Sequence, residues 1–238
     1  MTRRIDDAAF VREQYSTEDR LRARKSAYAD VEGDDPRELA FASVAEAAPH
    51  RVIEVGGGEG ELAERIVHEL GAEVLAVDQS ERMVELQRVK GIDARVGEVQ
   101  DLPFADGEFD VAVAAWMLYH VPDLDRALAE LARVLRPGGR LVAVTNGVGH
   151  LQELWDLAGR ASAVRRFTFH SENGENMLRG HFATVARRDA RGWAIMDEET
   201  VRRFGASWDA LGSLVDVELC GESLRVRRHS TVFVAETA

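Results

Sequence analysis

From Arg51 to Asn146 the chain repeats one pattern: a short apolar run, a turn, an amphipathic stretch of roughly 10–15 residues, then another apolar run. The runs are RVIEV (51–55), AEVLAVD (72–78), ARVGEV (94–99), DVAVAAW (110–116) and GRLVAVTN (139–146). A strand apolar on both faces must be covered on both, which helices joining parallel strands accomplish. The segments ELAERIVHEL, ERMVELQRVK and DLDRALAELARVL have the helical spacing to do so, the last with a stop expected at Pro137-Gly138-Gly139. The pattern predicts an α/β fold with a doubly wound, mostly parallel sheet.

The flanks differ. In the first 40 residues 18 are charged, of both signs, over a weak helical spacing of Phe10, Val11, Tyr15 and Leu21 that ends in a turn at Gly33–Pro36. This reads as an N-terminal helical arm. After Asn146, HLQELWDLAGRA and DEETVRRFGASW read as helices, HFATVARR and HSTVFVAE as strands, and LVDVELC fits either a strand or a helix. The organisation expected is an arm or lid at 1–38, a core at 39–149, a partly helical insert after the fifth strand at 150–212, and a completion of the sheet at 213–238.

A net charge of −12 argues against duplex binding, because nucleic-acid affinity comes largely from Lys and Arg on phosphates. Cys220 is the single cysteine, so an intrachain disulfide and Cys-rich zinc sites are excluded. The first ten residues lack the apolar region of a secretory signal, and VAVAAWMLY at 111–119 is far short of the ~20 residues that span a bilayer. The expectation is a cytoplasmic protein with no membrane and no nucleic-acid partner. Nothing in the residues sets an oligomeric state.

The chemistry starts at Glu54-Val55-Gly56-Gly57-Gly58-Glu59-Gly60, which leaves a strand and enters a helix. Glycines there let a ligand approach the main chain. A dinucleotide fingerprint needs glycine or alanine at 61, which is Glu61, and a pyrophosphate would face Glu59 and Glu61 at the helix start. A cationic or zwitterionic ligand suits the loop better than NAD. Asp78 ends the next strand, where the ligand crevice of an open α/β sheet lies, and can accept both hydroxyls of a ribose. Glu98 ends the third strand beside Val99 and Leu102, a carboxylate for an exocyclic amine next to apolar side chains, as an adenine ring requires.

EVGGGEG, VDQSERMVELQ, GEVQDLPFADGEFDVAVAAWMLYHV and ALAELARVLRPGGRLVAVTN together resemble the class I S-adenosylmethionine-dependent methyltransferases of the methyltransferase type 11 group, over about residues 51–146. The resemblance implies a Rossmann-like sheet with an antiparallel last strand, S-adenosylmethionine as cofactor and S-adenosylhomocysteine as product; the acidic charge and the absence of a nucleic-acid module favour a small-molecule acceptor, methylated on O, N or C. The resemblance also implies that Gly56, Gly57, Gly58 and Gly60, with Glu54 before them, line the methionine part. Asp78 holds the ribose, Gln79 and Met83 lie near the adenosine, and Glu98 with the Val99 backbone takes the adenine. The backbone at Ala114 and Ala115 faces the methionine amine. QYSTEDRLRARKSAY resembles the arm of one subgroup, which implies that Tyr15 and Arg24 close over the cofactor. Relatives carry Asp at the place of Glu98 and an Asn-His pair at the place of Ala115-Trp116. The rival readings are a nicotinamide oxidoreductase and a non-enzymatic cofactor-binding module.

Methyl transfer from a sulfonium needs alignment and exclusion of water, and for weakly acidic acceptors a base. His120, just past the fourth strand, and His150, just past the fifth, are the candidate catalytic residues; His170 and His181 flank the polar insert. No metal-ligand spacing is legible. Trp155, Phe167, Phe169, Phe182 and Trp193 are candidate core or acceptor-pocket residues. Arg165, Arg166, Arg187, Arg188 and Arg191 form either a solvated face or a grip for an acidic acceptor.

Overall fold

The computed structural model of this protein describes residues 23–25 and 28–238. Strand β1 (Val31–Gly33) is followed by the repeating half: β2 (Arg51–Val55), β3 (Glu73–Asp78), β4 (Asp93–Val96), β5 (Phe109–Ala115) and β6 (Leu135–Asn146). Two long strands end it, β7 (Thr184–Met196) and β8 (Leu224–Glu236). One sheet contains them in the order β1-β7-β8-β6-β5-β2-β3-β4. The pairs among β2 to β6 are parallel, while β8 runs antiparallel to β6, β7 to β8, and β1 to β7.

The apolar runs divide by parity, as two-sided strands must. Ile53, Val55, Leu75, Val77, Ala112 and Leu141 enter one core, capped by Leu124, Leu128 and Leu131 of helix α4 (Leu124–Val134). Val52, Val74, Ala76, Val111, Val113 and Val142 enter the other. Ala40 and Val44 of α1 (Pro36–Ala45), Ala63 of α2 (Glu61–Arg65) and Val84 of α3 (Glu81–Val89) cover that side. Side-chain caps start these helices: Asp35 for α1, Ser80 for α3 and Asp123 for α4 each accept a backbone N–H of the first turn. A third cluster joins the far ends of β7 and β8 to α5 (Gln152–Leu157) and α7 (Glu198–Ala206), around Trp155, Met196, Phe204 and Val226.

Four details depart from the sequence reading. The strand before Asn146 begins at Leu135, so Pro137-Gly138-Gly139 lies inside β6 rather than after a helix, with a register irregularity opposite Phe109 and Val111 and Gly138 at φ +70°. The arm, expected to be helical and helical in its described residues 23–25, also contributes the edge strand β1. Within the expected insert, a thirteen-residue strand stands beside α5, the short helix α6 (Gly174–Leu178) and α7. LVDVELC is neither strand nor α-helix: its first three residues end a 3-10 turn (Asp209–Asp216), and Leu214 is buried beneath Gly205. The apolar spacing of Phe10, Val11, Tyr15 and Leu21 lies outside the described residues. No helix among those described is long and apolar enough to cross a membrane.

Candidate functional site

Strand β2 has β3 on one side and β5 on the other, so the chain order reverses beside it, the place where open α/β sheets bind ligands. Beyond the carboxyl ends of these strands lies a cavity of about 560 Å³. Arg24, Glu54, Gly56, Gly57, Gly58, Asp78, Gln79, Met83, Glu98, Val99, Ala115, His120 and His150 all line it. Gly60 and Ala114 do not. Gly60 sits under the loop against Gln87 and Ile92, and Ala114 is fully buried in the core. Tyr15 lies outside the described residues.

The loop after β2 is built for a close approach. Gly56, Gly58 and Gly60 adopt φ of +64°, +58° and +74°, a region that favours glycine. Gly57 does not, yet a side chain there would run into the Glu54 carboxylate. The loop is tied down by Gly56 N–H donating to Val77 O at 2.8 Å and by Gln87 Nε2 donating to Gly58 O at 2.8 Å.

Two carboxylates sit under this loop with little water. Glu54 is 1 % exposed, and its Oε2 is buried with no hydrogen-bond partner. Burial, reinforced by the charge of Asp78, pushes its carboxyl up to about 7, while a hydrogen bond from the Ala63 backbone acts the other way. Asp78 is pushed up to about 6 by burial, against backbone hydrogen bonds from Ser80 and Gly58. Ser80 N–H reaches Asp78 Oδ1 at 2.9 Å, so this carboxylate both leads into α3 and faces the cavity. Glu98 is exposed at the cavity rim, and Val99 beside it is buried. Lys25, one residue past Arg24, closes onto the loop with ion pairs to Glu59 at 2.7 Å and Glu61 at 2.8 Å.

The other end of the cavity comes from distant parts of the chain. Tyr28 hydroxyl and His150 Nε2 are 3.0 Å apart, and His150 Nδ1 lies 3.1 Å from both the carbonyl oxygen and the amide nitrogen of His229. Burial pushes His150 down to about 3 and Tyr28 up to about 12, so both are neutral at pH 7. Trp116, at φ +55°, donates its indole N–H to Asn146 Oδ1 at 3.1 Å, which also accepts from Ser230 Oγ at 2.9 Å. Tyr119 stacks on Phe167 with ring centroids 4.6 Å apart, and both line the cavity with Trp155, Phe204 and Trp208.

The remaining sequence candidates lie elsewhere. Phe169 and Phe182 are buried in the core and Trp193 lies under Arg225. His170 pairs with Glu172 and His181 with Asp125. Arg187 and Arg191 pair with Asp189 and Arg188 with Glu46, and none of these arginines lines the cavity. Sequence reading missed Tyr28 and Arg228, whose positions depend on contacts across most of the chain. No group of His, Cys, Asp and Glu among the described residues could hold a metal ion.

The sequence profile of a methyltransferase domain matches residues 53–143. An uncharacterized methyltransferase of Mycobacterium tuberculosis is 38% identical over 120 residues, 48% of this chain and 49% of that protein. A malonyl-[acyl-carrier protein] O-methyltransferase of Methylococcus capsulatus is 34% identical over 152 residues, 60% of this chain and 55% of that one. The chain thus spans about half the length of the curated relatives it matches. Among solved structures, the YcgJ protein of Bacillus subtilis superposes with a TM-score of 0.64 at 18% identity, over 84% of this chain and 98% of that one. A Haemonchus contortus N-methyltransferase solved with S-adenosylhomocysteine gives 0.63 at 18% identity, over 99% and 61%. By its sheet, its glycine loop with the carboxylates beneath, and these matches, the stretch 53–143 is similar to the methyltransferase domain of these proteins.

Proposed function

We propose that the protein transfers a methyl group from S-adenosylmethionine to a small-molecule acceptor, on O, N or C. The observation that carries this reading is the buried Glu54 carboxylate, with Oε2 unpartnered, directly under a glycine loop whose Gly57 leaves no room for a side chain. That arrangement fits a cationic group lying on the loop backbone, and a pyrophosphate poorly. When bound, the cofactor supplies a methyl on a sulfonium, which an acceptor lone pair displaces in line.

The chain's own residues hold and enclose. In this reading Gly56, Gly57 and Gly58 take the methionine part, with the Ala115 backbone near its amine and Arg24 offering a planar fork to its carboxylate. Asp78 accepts the ribose hydroxyls, Gln79 and Met83 flank the adenosine, and Glu98 with Val99 takes the adenine. The aromatic wall of Tyr119, Phe167 and Trp208 keeps water from the reacting atoms. His120 is the candidate proton acceptor at the wall. His150, neutral and bound at both ring nitrogens, is a positioning residue for Tyr28.

The named relatives act on different atoms, among them a C-methyltransferase of ubiquinone and menaquinone biosynthesis and the O-methyltransferase above, so the acceptor atom needs experiment. Calorimetry with S-adenosylhomocysteine, followed by an acceptor screen read by its release, tests the proposal. Stabilisation by NADH and none by S-adenosylhomocysteine would overturn it, as would turnover on tRNA or protein alone. Binding without turnover on any acceptor would leave a cofactor-binding module.

A further inference from the structure

The wall of the cavity near Tyr28 is cationic where the loop end is acidic. Arg228 lies on β8, on the same side as Val226 and Ser230, and is only 8 % exposed. It lines the cavity that Glu54 and Asp78 line, with its guanidinium carbon 5.7 Å from the centre of the Tyr28 ring. Within the described residues its side chain makes no ion pair or hydrogen bond, and Nη1 is buried without an acceptor. The other arginines of the two long strands all have acids: Arg187 and Arg191 share Asp189, Arg188 has Glu46, Arg225 has Glu32 and Arg227 has Glu153. The interior arginine is the exception, although an uncompensated buried charge is costly.

No acid among the described residues pairs with it. His150 is neutral and engaged by the His229 backbone, Tyr28 is a neutral phenol, and Arg37 and Arg24 add positive potential at that phenol. Among the described residues no acid supplies the missing partner, and the cavity that Arg228 lines offers the place for a ligand that would. Trp155, Phe167 and Trp208 line the same cavity and suit an apolar body attached to it.

We propose that the methyl acceptor is an apolar carboxylic acid, held through its carboxylate by Arg228 and methylated on a second nucleophilic atom. This rests on the methyltransferase reading above. One guanidinium balances one negative charge, and its planar fork matches the two oxygens of a carboxylate. A carboxylate held in charge-assisted hydrogen bonds has its lone pairs engaged, so it anchors while another atom attacks. That atom's lone pair forms the new bond to the methyl carbon. The carbon–sulfur bond breaks with its electrons staying on sulfur, and any proton on the nucleophile passes to His120 or water.

The rival occupant is the cofactor's own carboxylate, and one set of titrations separates the two. The full chain, with and without saturating S-adenosylhomocysteine, is titrated with a panel of aryl and arylalkyl carboxylates, each paired with its primary amide, and with phenyl phosphate. Acids from the panel are expected to bind, with their amides at least about tenfold weaker. Arg228→Gln abolishes the preference, and Arg228→Lys, which keeps the charge without the fork, retains part of it. Both keep the wild-type affinity for S-adenosylhomocysteine. Arg228→Met, freed of the buried charge, melts higher than the ligand-free wild type. Amides binding as well as acids, no acid binding, or binding of phenyl phosphate alone would overturn the proposal. So would a parallel loss of S-adenosylhomocysteine affinity in Arg228→Gln, which assigns the arginine to the cofactor. Acid binding through Arg228 in a wild type that ignores S-adenosylhomocysteine would uphold the carboxylate site and remove the methyltransferase reading instead.

Discussion

Glu54 Oε2 occupies the space that a side chain at Gly57 would need. Gly57 is thus fixed by contact, Gly58 by backbone conformation, and Gly56 by both, since a side chain there would run into Met117. Gly57→Ala must push the carboxylate from its buried seat or lift the loop off it. We expect S-adenosylhomocysteine affinity to fall at least about tenfold, or ~1.4 kcal/mol, by calorimetry. Gly71→Ala, at φ +67° with open space around it, should cost stability and leave that affinity unchanged.

Glu54 also couples stability to pH. Its folded carboxyl titrates near 7 against an ordinary value of 4.5, so between those limits the folded chain keeps a proton that the unfolded chain has released. Stability therefore falls as pH rises through that window, by up to ~1.4 kcal/mol per pH unit. Asp78 acts in the same sense between 3.8 and about 6, and His150 in the opposite sense between about 3 and 6.5. Comparing wild type with Glu54→Gln isolates the one group. In urea titrations the variant should gain on wild type between pH 4.5 and 7, by an amount on the order of 2–3 kcal/mol at pH 8. A difference that does not change with pH would mean that Glu54 titrates like an exposed acid.

Asp78 has two oxygens and two backbone donors, with one side open to the cavity. Asp78→Ala should weaken S-adenosylhomocysteine binding by at least ~1.5 kcal/mol, the scale for deleting a charged hydrogen-bonding partner. Asp78→Asn, which retains one acceptor oxygen, should lose less. Undiminished affinity in the alanine variant would remove this residue from the ribose site.

Tyr28→Phe keeps the ring beneath Arg228 and deletes one hydrogen bond to His150. The net loss should be ~1 kcal/mol, a drop in melting temperature of roughly 2–4 °C. Tyr28→Ala also removes the packed ring and should cost ~3 kcal/mol or more. Equal losses in the two melts would place the whole contribution in the hydroxyl.

The parallel half was legible because each strand there carries its own signal, continuous apolar residues such as Val52, Ile53 and Val55 facing two cores. Asp78 was legible because a strand's last residue in such a sheet faces the crevice whatever its neighbours do, whereas Glu98, read as a strand end, stands two residues past β4 in the turn at the cavity rim. Strand β7 was seen only in part, as HFATVARR, because the residues after Arg188, Asp189 to Gly192, carry no apolar alternation and are extended only where β8 pairs with them residue by residue. Arg228 was invisible for a related reason. Arg225, Arg227 and Arg228 stand close together in sequence, and the first two are exposed while the third is buried. Only the position of Tyr28, brought from 200 positions away, distinguishes it.

The pairing of Val31–Gly33 with Gly192–Ala194 has a consequence for how the protein is made. A ribosome adding ~5–20 residues per second exposes the first of these partners roughly ten to thirty seconds before the second. During that interval the nascent chain can already carry β2, β3 and the glycine loop, while Arg24, Lys25 and Tyr28 have no ribbon to settle against. The cavity exists in that time from the sheet side alone, and its wall at Arg228 and Ser230 waits for the last strand to be synthesised.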